Sequence, residues 1–563
     1  MDTSCTLNRR TLLQAGALVV GFNLMPAGVA QPALAARRAL ALDQLDSFLA
    51  IRADGTVVVL SGKVDLGTGH RIAMRQMVGE ELGVAVDRIE LIEGDSALTP
   101  NQGPTAGSTG VMRGGVELRQ AAATAREALI GMAAQRLQVP PEQLTLSGAQ
   151  VRATDGRSVG LAALAGGRGF DLKLNPKAPL KRPADYVLVG QSLPRPDVPA
   201  KVTGRHVYVH DHTVPGMLHG RVLRPPSVGA KVLNVDEASV SKLPGVRVVR
   251  MADFVGVVCA DEWAAVRAAR ELKVQWSDSA PLIGHAALVD WARAGPFVAD
   301  EVIATKGDAQ RIAALAGSGE VIRATYSWPI QSHGSIGPSC AVADVRGDGG
   351  MVWTASQASH RFLATFAALV DLPREKLRVV YLDGAGCYGM NGHDDAAADA
   401  VLLSKAVGKP VRVQWSRKDE LGWDPKGPPQ LLELRATLTG DGRIDAWETE
   451  MWVPRATANL EWVPLLAPLA AGMRQPVGQS VGLVSQNGDP PYTPTRSRCR
   501  RTGSARHRFG PPTSVRRARS RTASRSRASS TSSLPRRSSI RSRFVCVTWR
   551  IRAASRCCGE SRS

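Results

Sequence analysis

The sequence contains few cysteines before its C-terminal region, and these lie far apart. Cys5, Cys259, Cys340 and Cys387 are the only ones among residues 1–495. Their wide spacing fits neither a disulfide framework nor a zinc site. Because no two of them form a Cys-x-x-Cys pair, the sequence predicts that this chain carries no iron–sulfur cluster of its own.

Acidic residues and lysine are almost absent from residues 496–563. This region contains 20 arginines, 16 serines and no lysine, and Glu560 is its single acidic residue. The rest of the chain carries 51 basic and 49 acidic residues, so it is close to neutral although the formal net charge of the whole is +21. This distribution argues against a nucleic-acid-binding surface on the main body of the protein.

The N-terminus lacks a hydrophobic run long enough to cross a membrane. The apolar stretch 15–25 follows Arg9 and Arg10, and an Ala-x-Ala cleavage site stands at 33–35. Paired arginines before a mild apolar stretch predict a twin-arginine signal peptide over residues 1–35 and export to the periplasm. The alternative is an N-terminal anchor helix, for which the run is too short.

Hydrophobic spacing predicts both strands and helices along the body. Residues 48–60 alternate like two short strands around an Asp-Gly turn, whereas 71–82 and 116–137 have helical spacing. A strand–helix–strand pattern recurs within 330–420, and residues 151–190, rich in Gly, Lys and Pro, predict a connector. Residues 432–439 and 444–453 predict a long hairpin around the Gly-Asp-Gly turn at 440–442. In a chain of 563 residues this mixture predicts an α+β, multidomain protein.

Three glycine-rich turns and one glutamine are the candidate functional residues. Residues 383–389 (DGAGCYG) leave a buried strand, 62–70 (GKVDLGTGH) turn into a helix, 107–110 (GSTG) precede another helix, and Gln357 follows a strand. Glycines at such turns let backbone N–H groups face an anion such as a phosphate. Taken singly, each motif has an ordinary alternative, which is a strand-to-helix turn, a helix cap or a surface glutamine.

The order of these motifs matches that of a known family. The sequence TASQ at 354–357, followed by GAGCYG at 384–389, is similar to a strand-glutamine element and a Gly-Gly-Gly-Phe-Gly element, and residues 394–415 continue the likeness. Residues 190–275 resemble a hammerhead domain. The chain therefore resembles the molybdopterin-binding large subunits of the xanthine dehydrogenase/aldehyde oxidase family. The early position of the other glycine segments, together with the export signal, resembles the isoquinoline 1-oxidoreductase beta-subunit type.

The resemblance covers residues 48–492 and implies a domain organisation. It implies a hammerhead-type α/β domain plus a molybdopterin-binding domain that is incomplete at the C-terminus. The expected regions are a signal peptide, a cofactor-binding segment with its connector, the hammerhead-like domain, the first half of the molybdopterin-binding domain and a disordered out-of-frame tail, at 1–35, 36–185, 186–290, 291–492 and 493–563.

The resemblance also implies a bound molybdopterin cytosine dinucleotide. Gln357 would hydrogen-bond an oxo ligand of the molybdenum, the loop 384–389 would lie along the cofactor, and residues 107–109 would bind its pterin or phosphates. Thr68 departs from the family's Gly-Gln-Gly pattern, so no contact is assigned to it, and no protein ligand to the metal is expected. The expected cofactor-binding residues are Gln357, Gly384, Ala385, Gly386, Cys387, Tyr388, Gly389, Gly67, Gly69, Gly107, Ser108 and Thr109.

The reaction implied by the family is hydroxylation of an aldehyde or an N-heteroaromatic carbon with oxygen derived from water. Two electrons would leave through a small partner subunit that carries [2Fe–2S] clusters, and export suggests a cytochrome c as their acceptor. The glutamate that acts as general base in the family lies near the C-terminus, beyond the matching region, so no catalytic residue is assigned in this chain.

The composition of residues 493–563 predicts either a disordered basic tail or an out-of-frame translation. Reading 525–534 and 539–551 in a shifted frame, with freely chosen synonymous codons, gives patterned sequences that bear acidic residues. We expect a frameshift near Tyr492 and, because the family glutamate would be lost, an inactive product as written. The alternatives are a non-catalytic protein whose basic tail binds nucleic acid, and a cofactor-storage protein of the same fold.

Overall fold

A computed structural model describes residues 40–504 except 168, 280, 283, 296, 308, 309, 311–313, 315–320, 390, 392, 455–464 and 474–495. The predicted signal peptide and the tail beyond residue 504 lie outside the described residues. No helix in the described part of the chain is both long and apolar enough to span a membrane. The described residues divide into two compact units. The first lies within Met1–Ser279, His333–Asp424 and Leu460–Pro476, and the second lies within Ala280–Ser332, Pro425–Asn459 and Val477–Ser563.

The described residues form strands and helices throughout, which confirms the α+β prediction. The strands are β1 (Leu49–Ile51), β2 (Val57–Ser61), β3 (Ile89–Glu93), β4 (Leu144–Ser147), β5 (Gln150–Ala153), β6 (Ser158–Gly160), β7 (Leu218–Leu223), β8 (Val232–Asp236), β9 (Arg247–Met251), β10 (Phe254–Cys259), β11 (Lys273–Trp276), β12 (Phe297–Lys306), β13 (Ile322–Trp328), β14 (Cys340–Arg346), β15 (Gly349–Thr354), β16 (Leu377–Tyr381), β17 (Val411–Gln414), β18 (Gln430–Leu438), β19 (Ile444–Pro454) and β20 (Arg496–Ser504). The helices are α1 (His70–Leu82), α2 (Val116–Leu137), α3 (Leu161–Ala165), α4 (Val198–Val202), α5 (Glu262–Glu271), α6 (Leu288–Ala294), α7 (Ser359–Leu369), α8 (Asp395–Val407), α9 (Arg417–Trp423) and α10 (Leu466–Ala470).

The first unit begins with a three-stranded sheet in the order β1-β2-β3. The predicted hairpin of β1 and β2 is confirmed, and β2 pairs in parallel with β3 across α1. Met74, Val78 and Leu82 recur every four residues and are fully buried on one face of α1. The helix ends at Gly83, whose φ of 58° closes the last turn in the left-handed region.

A seven-stranded sheet in the order β16-β15-β14-β17-β7-β10-β9 forms the centre of the first unit. Its strands come from both sides of the boundary expected between residues 290 and 291, because β17 pairs in parallel with β7. Hydrophobic spacing indicates which face of a strand is buried, but it does not indicate which distant strand pairs with it. The sequence therefore did not predict that these two regions contribute to one sheet.

The second unit contains a five-stranded sheet in the order β12-β20-β19-β18-β13. The predicted hairpin of β18 and β19 is confirmed. β20 pairs antiparallel with β12 and parallel with β19, so the expectation of disorder from residue 493 was wrong for Arg496–Ser504. Because both neighbouring strands offer backbone groups for pairing, main-chain hydrogen bonds account for this strand.

The expected connector at 151–190 also contains regular structure. β4, β5 and β6 form a separate antiparallel sheet, and α3 follows it. Val151 and Val159 are buried in the core that α1 and α2 share. The prediction of a connector was therefore wrong for its first part, because strands of three or four residues give too little alternation to stand out among glycines and polar residues.

Three carboxylic acids are buried where α8 begins and along its first turns. Burial raises the pKa values of Asp394 and Asp395 to about 7, and it also raises that of Asp399. The Thr354 hydroxyl donates a hydrogen bond to Asp394, and the Trp415 indole N–H donates to Asp399 at 2.9 Å. These acids bind protons more tightly in the folded chain than in the unfolded chain.

The Asp394 pKa predicts a specific pH dependence of stability. The folded pKa of about 7 exceeds the ordinary value of 3.8, so the cost of burying the carboxylate is absent below about pH 4, grows as the pH rises, and is complete above pH 7. We expect Asp394→Asn to be more stable than the unaltered chain at pH 8 and similar to it at pH 4, as measured by urea unfolding. The exposed Asp87→Asn variant is the control, and an Asp394→Asn variant less stable at pH 8 contradicts the argument.

Candidate cofactor-binding site

Two of the predicted site segments follow neighbouring strands of the seven-stranded sheet. Gln357 comes soon after β15, and the loop 384–389 comes soon after β16, with which β15 pairs in parallel. Because the carboxyl ends of adjacent parallel strands lie at the same edge of a sheet, the two segments meet there. The Cys387 Sγ and the Gln357 Oε1 are 3.2 Å apart.

The loop 384–389 has a backbone that few side chains tolerate. Gly386 and Gly389 have φ values of 129° and 97°, and Tyr388 has a φ of 51°. A Cβ on Gly384 would lie 2.6 Å from the Ala355 Cβ, so glycine is required there for close approach to the segment after β15. Over much of its length this loop therefore exposes backbone atoms rather than side chains to any neighbouring group.

The loop is also fixed at both ends. Val209 N–H donates to the Asp383 carbonyl at 2.9 Å before the loop, and Asn391 Nδ2 donates to the Ala355 carbonyl at 2.7 Å after it. Gln357 N–H donates to the Asn391 carbonyl at 3.0 Å. These bonds hold the loop against the segment that carries Gln357. Hydrogen bonds within the protein therefore set the arrangement of the site.

The third segment, 104–109, pairs directly with Gln357. Thr105 N–H donates to the Gln357 carbonyl at 2.8 Å, and Gln357 Nε2 donates to the Thr105 carbonyl at 2.7 Å. Gly107 and Ser108 have φ values of 59° and 61°, so the GSTG turn lies in the left-handed region. The chain thereby brings the predicted 107–109 turn to the glutamine.

A buried lysine supports this turn. Lys63 is 1% exposed, and its Nζ donates to the Pro104 carbonyl at 2.9 Å and to the Thr109 Oγ1 at 3.2 Å. A buried ammonium group needs such acceptors because its desolvation is costly. Lys63 therefore holds the turn 104–109 in place through these hydrogen bonds. Sequence reasoning did not select this lysine.

The segment 67–69 is arranged differently from the expectation. The backbone N–H groups of Gly67, Thr68 and Gly69 donate to Asp65 Oδ1 at 2.8, 3.0 and 3.3 Å, and the N–H of Arg71 donates to Asp65 Oδ2 at 3.1 Å. The carboxylate thus occupies the amino end of α1, where an anion would otherwise be favoured. A ligand contact of Gly67 and Gly69 stays a prediction, and these N–H groups already have an acceptor.

Arg71 connects this turn to the loop after β16. Its Nη1 and Nη2 form a bidentate pair with Asp383 at 2.9 and 2.6 Å, and its Nε lies 2.5 Å from Glu93 Oε2. The Tyr381 hydroxyl lies within hydrogen-bond distance of two acceptors, Asp383 Oδ1 at 3.0 Å and the Asp65 carbonyl, and its single hydrogen is donated to one or shared between them. Planar, bidentate pairing fixes direction as well as distance, so the two turns are held in one geometry.

Lys201 completes the charge cluster. Its Nζ lies 2.8 Å from both Asp383 Oδ2 and Asp197 Oδ2. Burial favours the protonated form of Asp383, but the hydrogen bonds and charges of Arg71 and Lys201 outweigh it and hold the pKa of this carboxyl well below its usual range. For Glu93 burial dominates and raises its pKa to about 7, although Arg71 opposes that shift.

The predicted residues therefore fall into two groups. Gln357, the loop 384–389 and the turn 107–109 come together, whereas Gly67 and Gly69 are connected to them through Arg71 and Asp383. Sequence reasoning selected the glycines of each motif and missed the charged residues beside them. Lys63, Asp65 and Asp383 stand inside the same motifs, so a charge next to a glycine turn was the available signal.

Comparison with known proteins identifies the domains. Models described as molybdopterin cofactor-binding domains match residues 20–187 and 296–470. A subunit of nicotinate dehydrogenase from Pseudomonas putida is 42% identical over 462 residues, which cover 80% of this chain and 38% of the relative. The beta subunit of isoquinoline 1-oxidoreductase from Brevundimonas diminuta is 29% identical over 501 residues, which cover 78% of this chain and 63% of the relative.

Among solved structures, quinoline 2-oxidoreductase from Pseudomonas putida 86 matches with 22% identity and a TM-score of 0.42, covering 57% of this chain and 45% of that one. The chain thus spans less than two thirds of the length of each of these proteins. The two molybdopterin-binding domains and these relatives confirm the resemblance, and the chain belongs to the molybdopterin-binding subunits of the xanthine dehydrogenase family.

Proposed function

We propose that this chain is the molybdenum-cofactor subunit of an oxidoreductase that hydroxylates an N-heteroaromatic or aldehyde carbon with oxygen derived from water. The observation that carries the proposal is that the Gln357 amide contacts both Cys387 in the glycine loop 384–389 and Thr105, two residues before the left-handed turn 107–109. The two relatives named above act, by their names, on nicotinate and isoquinoline. Both are N-heteroaromatic rings, which favours that substrate class over aldehydes.

The residues present fit a molybdopterin cytosine dinucleotide. The Gln357 amide has two N–H hydrogens, and the bond to Thr105 uses one, so the second is available to an oxygen of a bound group. The glycines at 384 and 386 let the loop pack closely against Ala355 and the Tyr388 ring, and this gives the loop the compact shape that the resemblance places along the cofactor. The turn 107–109, held by Lys63, would bind the pterin or its phosphates.

When bound, the molybdenum cofactor supplies the activated oxygen and takes up two electrons. The chain's own residues orient and enclose that group. Gln357 is 5% exposed and Cys387 is 4% exposed, so the amide would act in a nearly water-free environment in which its hydrogen bond is strengthened. Asp383, held by Arg71 and Lys201, fixes where the glycine loop begins.

Cofactor retention tests this proposal. The full chain, expressed in a host that makes molybdopterin cytosine dinucleotide, is purified and analysed for molybdenum and for CMP released by acid. We expect both at close to one per chain, and we expect Gln357→Leu to retain several-fold less. Gln275→Leu, at an exposed position of β11, is the matched control. A folded chain with neither molybdenum nor CMP would contradict the proposal.

We further propose a small [2Fe–2S] partner subunit and a cytochrome c acceptor in the periplasm. The relatives are named as subunits of larger enzymes, which supports a partner. The paired Arg9 and Arg10 before an apolar run support export by the twin-arginine route. Co-purification of a small iron–sulfur protein from the periplasmic fraction is the expected result, and replacement of both arginines by lysine should retain the chain in the cytoplasm.

We also propose that the Arg/Ser tail is an out-of-frame translation, so that the product as written holds the cofactor but is inactive, and only the protein with the restored frame catalyses the reaction. The support is its composition, with 20 arginines and a single acid in residues 496–563 beside a nearly neutral body. Resequencing the gene across the codons for 485–500 tests the frame. An intact frame would favour the alternative, a non-catalytic protein with a basic tail, for which salt-dependent RNA binding by the full chain is the measurement.

A further inference from the structure

The thiol of Cys387 and the side chain of Gln357 form a buried polar pair at the edge of the sheet. Cys387 Sγ lies 3.2 Å from Gln357 Oε1, and Gly389 N–H donates to the same sulfur at 3.3 Å. Both side chains are at least 95% buried. Water therefore has little access to this pair and does not replace either side chain as a hydrogen-bond partner. The hydrogen bonds of both side chains are made with protein atoms.

We propose that Cys387 is a positioning residue that fixes the orientation of the Gln357 amide by donating its S–H hydrogen to Oε1. The proposal rests on the proposed function, because the amide matters for catalysis only if it faces a bound cofactor. It assigns to Cys387 a role through Gln357, in place of the direct contact along the cofactor that the resemblance implied.

The first step of the argument is the direction of the amide. A backbone carbonyl oxygen can only accept a hydrogen bond, so the atom of Gln357 that faces Thr105 O at 2.7 Å must be the nitrogen. The amide oxygen then points to Cys387. Rotating the amide by half a turn would place two oxygen acceptors against each other at Thr105, and such a buried arrangement is unfavourable.

The second step is the protonation of the sulfur. An amide oxygen has no hydrogen to donate, so the contact at 3.2 Å is favourable only when Cys387 carries its proton and donates it. The Gly389 N–H approaches the same sulfur as a donor, which uses a sulfur lone pair and lets the S–H hydrogen point at Gln357. The three groups thus form a chain of donors that runs from Gly389 through Cys387 to Gln357.

The consequence is a fixed direction for the second amide hydrogen. With Oε1 held by Cys387 and one Nε2 hydrogen held by Thr105, the remaining hydrogen cannot turn away. Left-handed residues around the thiol, Tyr388 and Gly389, place the sulfur there, so the loop sequence sets the amide as well as the backbone. Preorganisation of this kind keeps a donor in its working direction before the ligand arrives.

The S–H stretching band in the infrared spectrum tests the proposal directly. It lies in a region free of other protein bands, and hydrogen bonding lowers its frequency. The band of Cys387 is isolated as the difference between the full chain and Cys387→Ala. We expect it at the low frequency of a hydrogen-bonded thiol. Gln357→Leu should move it to higher frequency, whereas Gln357→Glu, a buried acid that would donate its proton to the Thr105 carbonyl and keep its own carbonyl oxygen toward the thiol, should leave it low.

Two other buried thiols provide internal controls. Cys259 and Cys340 face backbone carbonyl oxygens at 3.7 and 3.9 Å, so their bands should stay unchanged in both Gln357 variants. A shift of the Cys387 band in Gln357→Leu alone cannot arise from misfolding, which would disturb all three of these thiols. A Cys387 band that is insensitive to both changes would overturn the proposal.

Molybdenum content separates this proposal from the proposed function. We expect Cys387→Ser, which keeps a donor, to retain the metal nearly as well as the unaltered chain. Cys387→Ala should lose roughly tenfold in affinity, as is typical when a partner of a metal-site residue is removed. Equal losses in the two variants would overturn the donor role. Band shifts as expected in a chain that never binds molybdenum would leave the amide contact standing and overturn the proposed function.

Discussion

Arg71→Ala should lower the free energy of unfolding of the first unit by about 3–5 kcal/mol, which is the usual cost of removing one partner from a buried ion pair. The guanidinium pairs with Glu93 and with both oxygens of Asp383, and the side chains of these acids are only 6% and 5% exposed. Alanine would leave both acids without their main cation. Urea unfolding followed by tryptophan fluorescence measures the change.

Two variants control this prediction. Arg157→Ala removes an exposed pair with Asp155, whose side chains are 54% and 46% exposed, and should cost less than about 1 kcal/mol. Arg71→Lys keeps the charge but cannot pair with Asp383 through two parallel N–H groups, so it should fall between the other two. If Arg71→Ala and Arg157→Ala cost the same, the buried cluster contributes nothing specific to stability.

Gly337→Ala should displace the glycine loop and reduce cofactor retention. A Cβ on Gly337 would lie 2.3 Å from the Ala385 Cβ, which is closer than two carbon atoms that are not bonded to each other can approach. Overpacking of this kind costs about 1–3 kcal/mol. If that cost falls on the loop, the affinity for the molybdenum cofactor should drop roughly tenfold or more. Molybdenum and CMP per purified chain are the quantities to measure.

A compensating substitution makes this prediction sharp. Ala385→Gly removes the methyl group that the new Cβ would meet, so the double variant should recover most of the retained cofactor. Gly422→Ala, in α9 with no atom within 4 Å of its Cβ position, should leave retention unchanged. If the double variant binds as poorly as Gly337→Ala, the effect does not arise at Ala385.

Local elements could be predicted well from the sequence, because their signals lie within a few residues. The buried positions Met74, Val78 and Leu82 give α1, and the helix α2 begins and ends where its apolar spacing does. The β18–β19 hairpin follows from its Gly-Asp-Gly turn. In each case the sequence pattern and the helix or hairpin that it predicts depend on the same neighbouring residues.

Longer pairings could not be predicted, because nothing in one segment specifies its partner. The parallel pairing of β17 with β7 joins two regions that the motifs assigned to different domains. The strand β20 pairs within a region whose composition indicates disorder. Strand pairing relies on backbone groups that every residue carries, so side-chain composition constrains it weakly.

At the candidate site, the sequence predicted the glycine residues but not the charged residues, and the reason is related. A glycine turn is visible in sequence because its φ requirement is local, as at Gly386. The role of Asp383 depends on Arg71 and Lys201, which come from distant segments. A single aspartate before a glycine turn gives no sign of which cations will surround it.

The pairing of Arg71 with Asp383 also sets an order in time. The two residues are 312 positions apart in the chain. At a synthesis rate of about 5–20 residues per second, Asp383 leaves the ribosome roughly 15–60 s after Arg71. During that interval Arg71 can pair with Glu93, the last residue of β3, and the sheet β1-β2-β3 can fold around that pair. Gln357 leaves the ribosome near the end of that interval and the loop 384–389 just after it, so the cofactor has no complete site to enter until most of the first unit has been made.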